Sequence, residues 1–242
     1  MKYKYLLNLL MLSTGFFSVL NISAKNGDWT DLSRYEQSNQ QLISQPNNGK
    51  RVVFMGNSIT DNWYRFHPNF FNSNGYIGRG ISGQSSYQFL VRFREDVVNL
   101  HPAIVVINAA TNDIAENTHP YNESYTLGNI KSMVEIAESN GIKVILTSTL
   151  PAFKFSWNSS ITDAPQKILS LNAKIKTYAK KKGVPYIDYY KEMVVKGTGA
   201  LNPSLTNDGV HPTPDGYFIM EKMIKKAITK ILCSKKSKNL SI

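Results

Sequence analysis

The amino-acid sequence predicts an α/β fold, in which helices cover both faces of a parallel β-sheet and form a three-layer α/β/α sandwich. Two observations carry this prediction. Short runs of β-branched and apolar residues recur five times along the chain, and segments of helical period lie between them. Strands that are apolar on both faces are usually parallel, and repeated βα units build a doubly wound sheet. The 242 residues are enough for one such domain with a sizeable core.

The predicted strands are short and mostly apolar on both faces. They are RVVFMG (51–56), YIGRGI (76–81), AIVVINAA (103–110), KVILTSTL (143–150) and VPYIDYY (184–190). Helices on each side of the sheet would bury both faces of such strands. We therefore expect a parallel sheet of about five strands.

Amphipathic segments separate the strands and follow the last one. They lie near residues 84–99, 122–140, 164–182 and 213–232. In the second segment Ile130 and Val134 recur at helical spacing, and Asn140-Gly141 then ends the pattern, as Gly183 ends the third. An additional helix, roughly residues 28–44, is expected to pack outside the sheet.

The first 24 residues predict a signal peptide. Two lysines precede an apolar stretch (residues 6–20), and residues 22–24 end in a small residue of the kind that signal peptidases prefer. Polar residues interrupt the apolar stretch, which disfavours a retained membrane anchor. We expect a secreted or periplasmic protein whose single domain spans residues 25–242, without stable membrane insertion after cleavage.

The formal net charge is +11 at pH 7. Many lysines lie in the KKG run that ends at Gly183 and in the C-terminal tail, which is typical of solvated faces and chain ends. The basic stretches lack interleaved aromatic residues, which argues against a nucleic-acid partner and leaves attraction to acidic glycans or lipid head groups open. Cys233 is the only cysteine, so no intramolecular disulfide can form.

Four short segments place polar residues where chemistry is expected. Three follow predicted strands and one precedes the last predicted helix; they are residues 56–58, 80–83, 110–113 and 208–211. In doubly wound sheets ligands bind at the carboxyl ends of the strands. We therefore expect these segments to meet at one edge of the sheet.

Ser58 is the candidate nucleophile, and it needs a base that is itself oriented by an acceptor. The available bases are His67, His101, His119 and His211. Glu116 precedes His119 by three residues, and Asp208 precedes His211 in the same way. We favour His211, because its loop is rich in turn residues and Asp208 is short enough to hold Nδ1 while Nε2 faces Ser58. Spacing alone leaves His119 open.

A tetrahedral intermediate also needs hydrogen-bond donors for its oxyanion. Three groups in the same segments suit that role. Ser58 offers its own backbone N–H, Gly83 offers a backbone N–H without a Cβ in the way, and Asn112 offers a side-chain NH₂.

The sequence gives little support to a dinucleotide site or a metal site. Gly78, Gly80 and Gly83 form a G-x-G-x-x-G pattern, but it follows the second strand and the next strand ends without an acidic residue to hold a ribose. No H-E-x-x-H or H-x-x-E-H spacing predicts a metal, and Asp113 is predicted to cap the segment that follows it. We expect no metal and no cofactor.

Four separated blocks of the sequence contain these candidate residues: FMGNSIT, GRGISGQSS, VVINAATNDI and NDGVHPTPDGY. Together they resemble the SGNH (GDSL-type) esterases and acyl-hydrolases, especially their secreted bacterial acetylhydrolases. The resemblance implies a flavodoxin-like sandwich of about five parallel strands and a serine esterase without a cofactor. It also implies that Ser58, Asp208 and His211 form a catalytic triad. By the same resemblance, Gly83 and Asn112 complete the oxyanion hole with Ser58.

Two positions depart from the pattern of that family. Asn57 stands where the family has the aspartate of G-D-S, and Ala110 stands where it has the glycine of G-T-N-D. Asn57 keeps a carbonyl acceptor but lacks the charge, and Ala110 adds a methyl group. A catalytically impaired relative that binds glycans is therefore kept as an alternative.

Aromatic residues suggest where a substrate would bind. They are concentrated in DNWYRFHPNFF (61–71) and PAFKFSWNSS (151–160). Aromatic faces beside Asn and Ser suit sugar rings, so Trp63, Tyr64 and Trp157 are candidates for substrate contacts, with Arg79 a candidate for meeting an acidic group. Burial in the core is the alternative for most of these aromatic residues, and a surface or structural ion pair is the favoured alternative for Arg79. We expect hydrolysis of short-chain acyl esters, first of all acetyl esters of carbohydrates. A lipid or lysophospholipid ester, favoured by the basic charge, is the alternative.

Overall fold

A parallel β-sheet of five strands lies at the centre of the molecule, as predicted. The computed structural model describes residues 28–238. The strands are β1 (Val52–Gly56), β2 (Tyr76–Gly80), β3 (Ile104–Ile107), β4 (Lys143–Thr147) and β5 (Tyr186–Ile187). Their order across the sheet is β2-β1-β3-β4-β5, and every neighbouring pair is parallel. The connections that follow β1 and β2 run in opposite directions, which opens a crevice at the carboxyl ends of β1 and β3.

Helices cover both faces of the sheet. Those within residues 28–238 are α1 (Glu36–Ser44), α2 (Ser58–Phe66), α3 (Pro68–Asn72), α4 (Ser86–Asp96), α5 (Thr111–Ile114), α6 (Glu123–Ser139), α7 (Ala164–Lys182), α8 (Tyr189–Met193) and α9 (Pro214–Lys238). Apolar residues of α4, α6 and α7 form one core with one face of the sheet, and those of α2, α3, α8 and α9 form a second core with the other. The predicted three-layer sandwich is confirmed.

The strands alternate between the two cores because both of their faces are covered. Val53 and Met55 of β1 belong to the core under α4 and α6, whereas Val52 and Phe54 belong to the core under α2 and α9. All four side chains are at most 2% exposed. This double burial explains why the sequence of β1 shows no polar side.

Several strands are shorter than predicted; the run 143–150, for example, ends as a strand at Thr147. The run 103–110 ends as a strand at Ile107, because Ala110 adopts a left-handed backbone conformation with φ 86° and begins the turn into α5. The run 184–190 keeps only two residues in β5, because Asp188 caps α8 by accepting the backbone N–H of Lys191. Local capping therefore overrides the β-branched composition at both places.

The N-terminal helix is also divided. A 3₁₀ turn over Leu32–Tyr35 leads into α1, so the expected helix over 28–44 is only partly regular. Among the described residues no helix is both long and apolar enough to cross a membrane. The predicted signal peptide, residues 1–24, lies outside the described residues.

Candidate active site

Ser58 begins α2 directly after β1. The side-chain carbonyl of Asn57 accepts the backbone N–H of Ile59 at 3.0 Å and so caps the helix. A Cβ at Gly56 would lie 2.0 Å from Oγ1 of Thr60, so only glycine lets the first turn of α2 fold back on the end of β1. This close approach explains why the apolar strand ends in glycine two residues before the serine.

Gly80 has the same role at the end of β2. A Cβ there would lie 2.2 Å from the backbone nitrogen of Asp61 in α2. Gly80 of the G-x-G-x-x-G pattern therefore lets α2 pack closely on the edge strand β2. This contact gives the pattern a structural explanation without a nucleotide.

Ser58, His211 and Asp208 form a continuous hydrogen-bonded row. The Oγ of Ser58 lies 2.8 Å from Nε2 of His211, and Nδ1 of His211 lies 2.6 Å from Oδ2 of Asp208. The other carboxylate oxygen, Oδ1, accepts the backbone N–H groups of Val210 at 2.9 Å and of His211 at 2.8 Å. Three residues of one turn thus orient the imidazole toward the serine.

The hydrogen bonds of this turn also set the ionisation of Asp208. Partial burial opposes the charged form, but the hydrogen bonds from the side chain and backbone of His211 and from Val210 outweigh it, so the pKa of Asp208 is below its ordinary value. An ionised carboxylate on Nδ1 leaves Nε2 free to accept the proton of Ser58.

His119, the alternative base, lies elsewhere. Its ring packs edge to face against Tyr87 with centroids 3.9 Å apart, and its Nδ1 lies 2.8 Å from the carbonyl oxygen of Pro120. The structure brings His211, and not His119, to Ser58.

The predicted oxyanion donors lie on loops next to Ser58. Asn112 is buried at the start of α5 and donates one hydrogen of Nδ2 to the carbonyl of Gln84 at 2.9 Å, which leaves the other hydrogen available. Gly83 has φ 82° in the loop after β2. Within residues 28–238 the backbone N–H groups of Ser58 and Gly83 have no hydrogen-bond acceptor.

Trp157 lines the site beside the imidazole. Its ring centroid lies 6.2 Å from that of His211, and 45% of its surface is exposed. The indole N–H donates to Oδ1 of Asn117 at 2.8 Å, and Nδ2 of Asn117 donates to the carbonyl of Gly83 at 3.3 Å. The indole is therefore held between the base and the Gly83 loop. Nothing in the spacing of the sequence indicates Asn117.

The predictions for Trp63 and Arg79 as substrate contacts are wrong. Trp63 is 2% exposed, and its ring stacks between Phe70 and Tyr217 with centroids 5.3 and 5.6 Å away. Arg79 is 4% exposed, and its Nε and Nη2 donate to Oδ1 of Asn39. Both side chains belong to the interior, because α2 and β2 turn those positions away from the site.

Tyr64 is exposed but lies apart from the triad. It packs on the edge of Phe71 and lines a cavity of about 350 Å³ over β2, which neither Ser58 nor His211 lines. The predicted role of Tyr64 at the substrate site therefore has no geometric support.

Asp113 caps a helix, although not the one predicted. Its carboxylate accepts the backbone N–H of Ser86 at 2.9 Å and the hydroxyl of Thr126 at 3.1 Å, so it caps the preceding helix α4. Burial raises the pKa of Asp113. Among residues 28–238 no group of three or more His, Cys, Asp or Glu side chains is arranged to hold a metal ion.

The two departures from the expected pattern are both buried. Asn57 keeps the cap of α2, but its Nδ2 has no hydrogen-bond partner among the described residues. Ala110 holds a left-handed φ of 86°, which disfavours any residue with a Cβ. Among the described residues, neither side chain forms a hydrogen bond with Ser58, His211 or Asp208.

Residues 54–219 match the model of the GDSL-like lipase/acylhydrolase family. The chain belongs to this family. It is therefore a carboxylic ester hydrolase, and the family assignment made from the four sequence blocks is confirmed.

Solved structures of the GDSL-like family resemble this chain closely. A structure from Bacteroides fragilis NCTC 9343 is 64% identical, with a TM-score of 0.83 over 85% of this chain and 99% of that one. A GDSL-like lipase from Bacteroides thetaiotaomicron VPI-5482 is 62% identical, with a TM-score of 0.81 over 83% of this chain and 98% of that one.

A more distant relative is an acetylxylan esterase from Xylanibacter ruminicola. It is 23% identical over an alignment of 214 residues that covers 74% of this chain. The match spans 43% of the length of that esterase.

Proposed function

We propose that this GDSL-family hydrolase is a serine esterase that removes short acyl groups, acetyl first, from carbohydrate esters through an acyl-enzyme on Ser58. The observation that carries the proposal is the row in which Oγ of Ser58 lies 2.8 Å from Nε2 of His211, with Asp208 on the other ring nitrogen. A serine hydroxyl becomes nucleophilic when such a base removes its proton.

In the first half of the reaction, Oγ of Ser58 attacks the carbonyl carbon of the ester while Nε2 of His211 takes the hydroxyl proton. The carbonyl oxygen becomes an oxyanion, which the backbone N–H groups of Ser58 and Gly83 and the amide of Asn112 stabilise. The bond from carbon to the alcohol oxygen then breaks, and His211 gives its proton to that oxygen. The alcohol leaves, and the acyl group stays on Ser58.

In the second half, water attacks the acyl carbon while His211 takes one of its protons. The bond from carbon to Oγ of Ser58 breaks, and His211 returns the proton to Oγ. Asp208 stays ionised throughout and stabilises the imidazolium. The products are a carboxylic acid and the free enzyme.

The side on which the alcohol leaves supports a carbohydrate ester as the substrate. Because His211 protonates the leaving oxygen, the alcohol part of the ester must lie beside the imidazole. The half-exposed ring of Trp157 lies on that side, 6.2 Å from His211 between centroids. A flat, fixed indole suits the apolar face of a sugar ring, and the name of the acetylxylan esterase relative agrees with an acetylated glycan.

Two measurements test the proposal. A fluorophosphonate probe should label Ser58, and the wild type, but not Ser58→Ala, should hydrolyse p-nitrophenyl acetate. Acetylated polysaccharides and a series of longer acyl esters, including phospholipids, then identify the natural ester. Failure to label folded protein would support a glycan-binding relative without activity, and preference for phospholipid esters would favour a lipid hydrolase.

We further propose that the enzyme acts outside the cytoplasm, on the basis of the signal-peptide pattern in residues 1–24. N-terminal sequencing of the protein recovered from the periplasm or medium tests this, with a start near Lys25 expected and an uncleaved Met1 as the contrary result.

A further inference from the structure

A fully buried arginine lies behind the loops that carry Ser58 and Gly83. Arg92, in α4, has no exposed surface. Burial lowers the pKa of its guanidinium, and the neighbouring charge of Asp96 opposes that effect. A guanidinium in the interior is tolerated only when its donors are satisfied, so its partners show what it holds together.

The partners of Arg92 lie at the ends of two strands. Nη2 donates to the carbonyl oxygens of Gly56 and of Arg79, each at 2.9 Å. Nε donates to Oε1 of Gln84 at 2.6 Å, and Nη1 pairs with Asp96 at 2.7 Å. One side chain therefore joins the carboxyl ends of β1 and β2 and the loop that follows β2.

The carbonyl of Gly56 is a junction between two parts of the site. It precedes Ser58 by two residues, and besides Arg92 it accepts the backbone N–H of Ile81 at 3.1 Å. Ile81 leads directly into the Gly83 turn. The distance between the Ser58 and Gly83 segments is thus set at this carbonyl.

Gln84 connects Arg92 to the loop that carries Asn112. Its side chain accepts from Arg92, while its backbone carbonyl accepts Nδ2 of Asn112 at 2.9 Å. Gln84 therefore links Arg92 to the side-chain amide of Asn112, the third oxyanion donor.

The N-terminal segment closes this cluster from behind. Nδ2 of Asn39 in α1 donates to Oδ1 of Asp96 at 2.8 Å, and Oδ1 of Asn39 accepts from Arg79. Nε2 of Gln84 donates to the carbonyl of Thr30 at 2.6 Å. The family match begins at residue 54, so these contacts come from a part of the chain outside it.

We propose that Arg92 is a positioning residue for ester hydrolysis, which sets the spacing between the oxyanion donors on the Ser58, Gly83 and Asn112 loops. This inference rests on the proposed function of those donors. No single loop determines their spacing, because each donor lies on a different one. Misplacing a catalytic group by about 1 Å costs on the order of 100-fold in rate.

Arg92→Lys and Gln84→Met test the inference. Lysine keeps the charge but cannot form the planar fork, and methionine keeps the side-chain size of Gln84 while removing its hydrogen bonds. Both should lower kcat for p-nitrophenyl acetate by roughly 10-fold to 100-fold, with KM changed by less than about 3-fold.

A thionoester provides a readout that loss of stability alone does not change. Sulfur is a poor hydrogen-bond acceptor, so a well-formed oxyanion hole favours p-nitrophenyl acetate over p-nitrophenyl thionoacetate. Both variants should show a lower ratio of kcat/KM for the oxygen ester to that for the thionoester.

Arg51→Lys is the matched control. The guanidinium of Arg51 also donates to two backbone carbonyls, those of Leu100 and Leu42, but it precedes β1 at the opposite edge of the sheet. Its kcat and ester ratio should equal those of the wild type at a temperature at which all variants are folded by circular dichroism.

The outcomes separate the hypotheses. Wild-type kcat and ratio in folded Arg92→Lys and Gln84→Met would overturn the positioning role, as would an equal loss in Arg51→Lys. If Arg92→Lys does not fold, Gln84→Met decides alone. A wild type that hydrolyses neither ester would overturn the proposed function and this inference with it.

Discussion

Ser58 and His211 meet across 153 residues of chain, with Oγ and Nε2 2.8 Å apart. β1 carries the serine to the carboxyl edge of the sheet, and the loop before α9 carries the imidazole to the same edge. His211→Ala should therefore lower kcat for p-nitrophenyl acetate by roughly 10⁴-fold or more. The melting temperature should change little, because the side chain lies at the surface of the cleft.

His119→Ala is the control for this prediction. His119 contacts Tyr87 and a backbone carbonyl, away from Ser58. Its removal should leave kcat within about 3-fold of the wild type. A loss of turnover as large as that of His211→Ala would return His119 to the mechanism.

Asp208→Asn should reduce kcat by roughly 10³-fold to 10⁴-fold, because an amide can no longer hold the Nδ1–H tautomer of His211. It should also change the pH dependence of stability. The folded-state pKa of Asp208 is below its unfolded value of about 3.9, so the interaction stabilises the fold above that value and is lost as the pH falls through the lower folded pKa.

The stability effect of Asp208→Asn should be small, about 1 kcal/mol or less, because the carboxylate is 43% exposed and solvent screens it. Urea unfolding of the wild type and the variant should give a difference at pH 7 that shrinks once the pH falls below about 3.9, the ordinary value for aspartate, toward the lower folded pKa. A difference in the free energy of unfolding that grows as the pH falls would show that the pKa of Asp208 is raised, and not lowered, in the folded protein.

Trp157→Ala should raise KM for an acetylated oligosaccharide by roughly 3-fold to 10-fold, since a stacking contact contributes about 0.5–1.5 kcal/mol. Turnover of p-nitrophenyl acetate should change far less. Trp29→Ala is the matched control, because Trp29 is 49% exposed against 45% for Trp157 but, within residues 28–238, has no ring contact with His211. An equal rise in KM for the oligosaccharide in both variants would rule out a specific stacking contact between Trp157 and the sugar.

Ala110 allows a test of backbone strain at the start of α5. Its φ of 86° costs about 1–2 kcal/mol for a residue with a Cβ. Ala110→Gly relieves this cost, but it loses a buried methyl group worth about 0.8 kcal/mol and adds unfolded-state entropy worth about 0.5–1 kcal/mol. The free energy of unfolding should stay within about 1 kcal/mol of the wild type.

Ala110→Val tests the effect of a larger side chain at the same position. A β-branched side chain at a left-handed, buried position combines strain with overpacking and should lower the free energy of unfolding by about 3 kcal/mol or more. If valine were tolerated as well as glycine, the left-handed conformation would not hold in solution.

The sequence predicts most of the fold and of the triad because these depend on local composition and on the edge at which parallel strands end. The apolar run before Gly56 indicates β1, and the D-x-x-H spacing indicates the turn that joins Asp208 to His211. Both signals lie within a few residues of chain. They can therefore be recognised without knowing which distant segments of the chain pack together.

The errors concern side-chain direction and distant contacts. Trp63 and Tyr64 are neighbours in α2, yet Trp63 lies in the core and Tyr64 is exposed. The sequence does not reveal this difference, because a nine-residue helix contains too few turns for its apolar residues to mark the buried face. Arg79 meets Asn39 across 40 residues, and Arg92 meets Gly56 across 36. Such pairings follow from how α1 and α4 dock on the sheet, which local patterns do not reveal.

The glycines at the ends of β1 and β2 pack so closely on the first turn of α2 that a Cβ at either one would clash with it. Trp157, by contrast, stands on a segment without regular helix or strand between β4 and α7. New substrate ranges should therefore evolve, or be engineered, by exchanging that segment while the nucleophile and its base stay untouched.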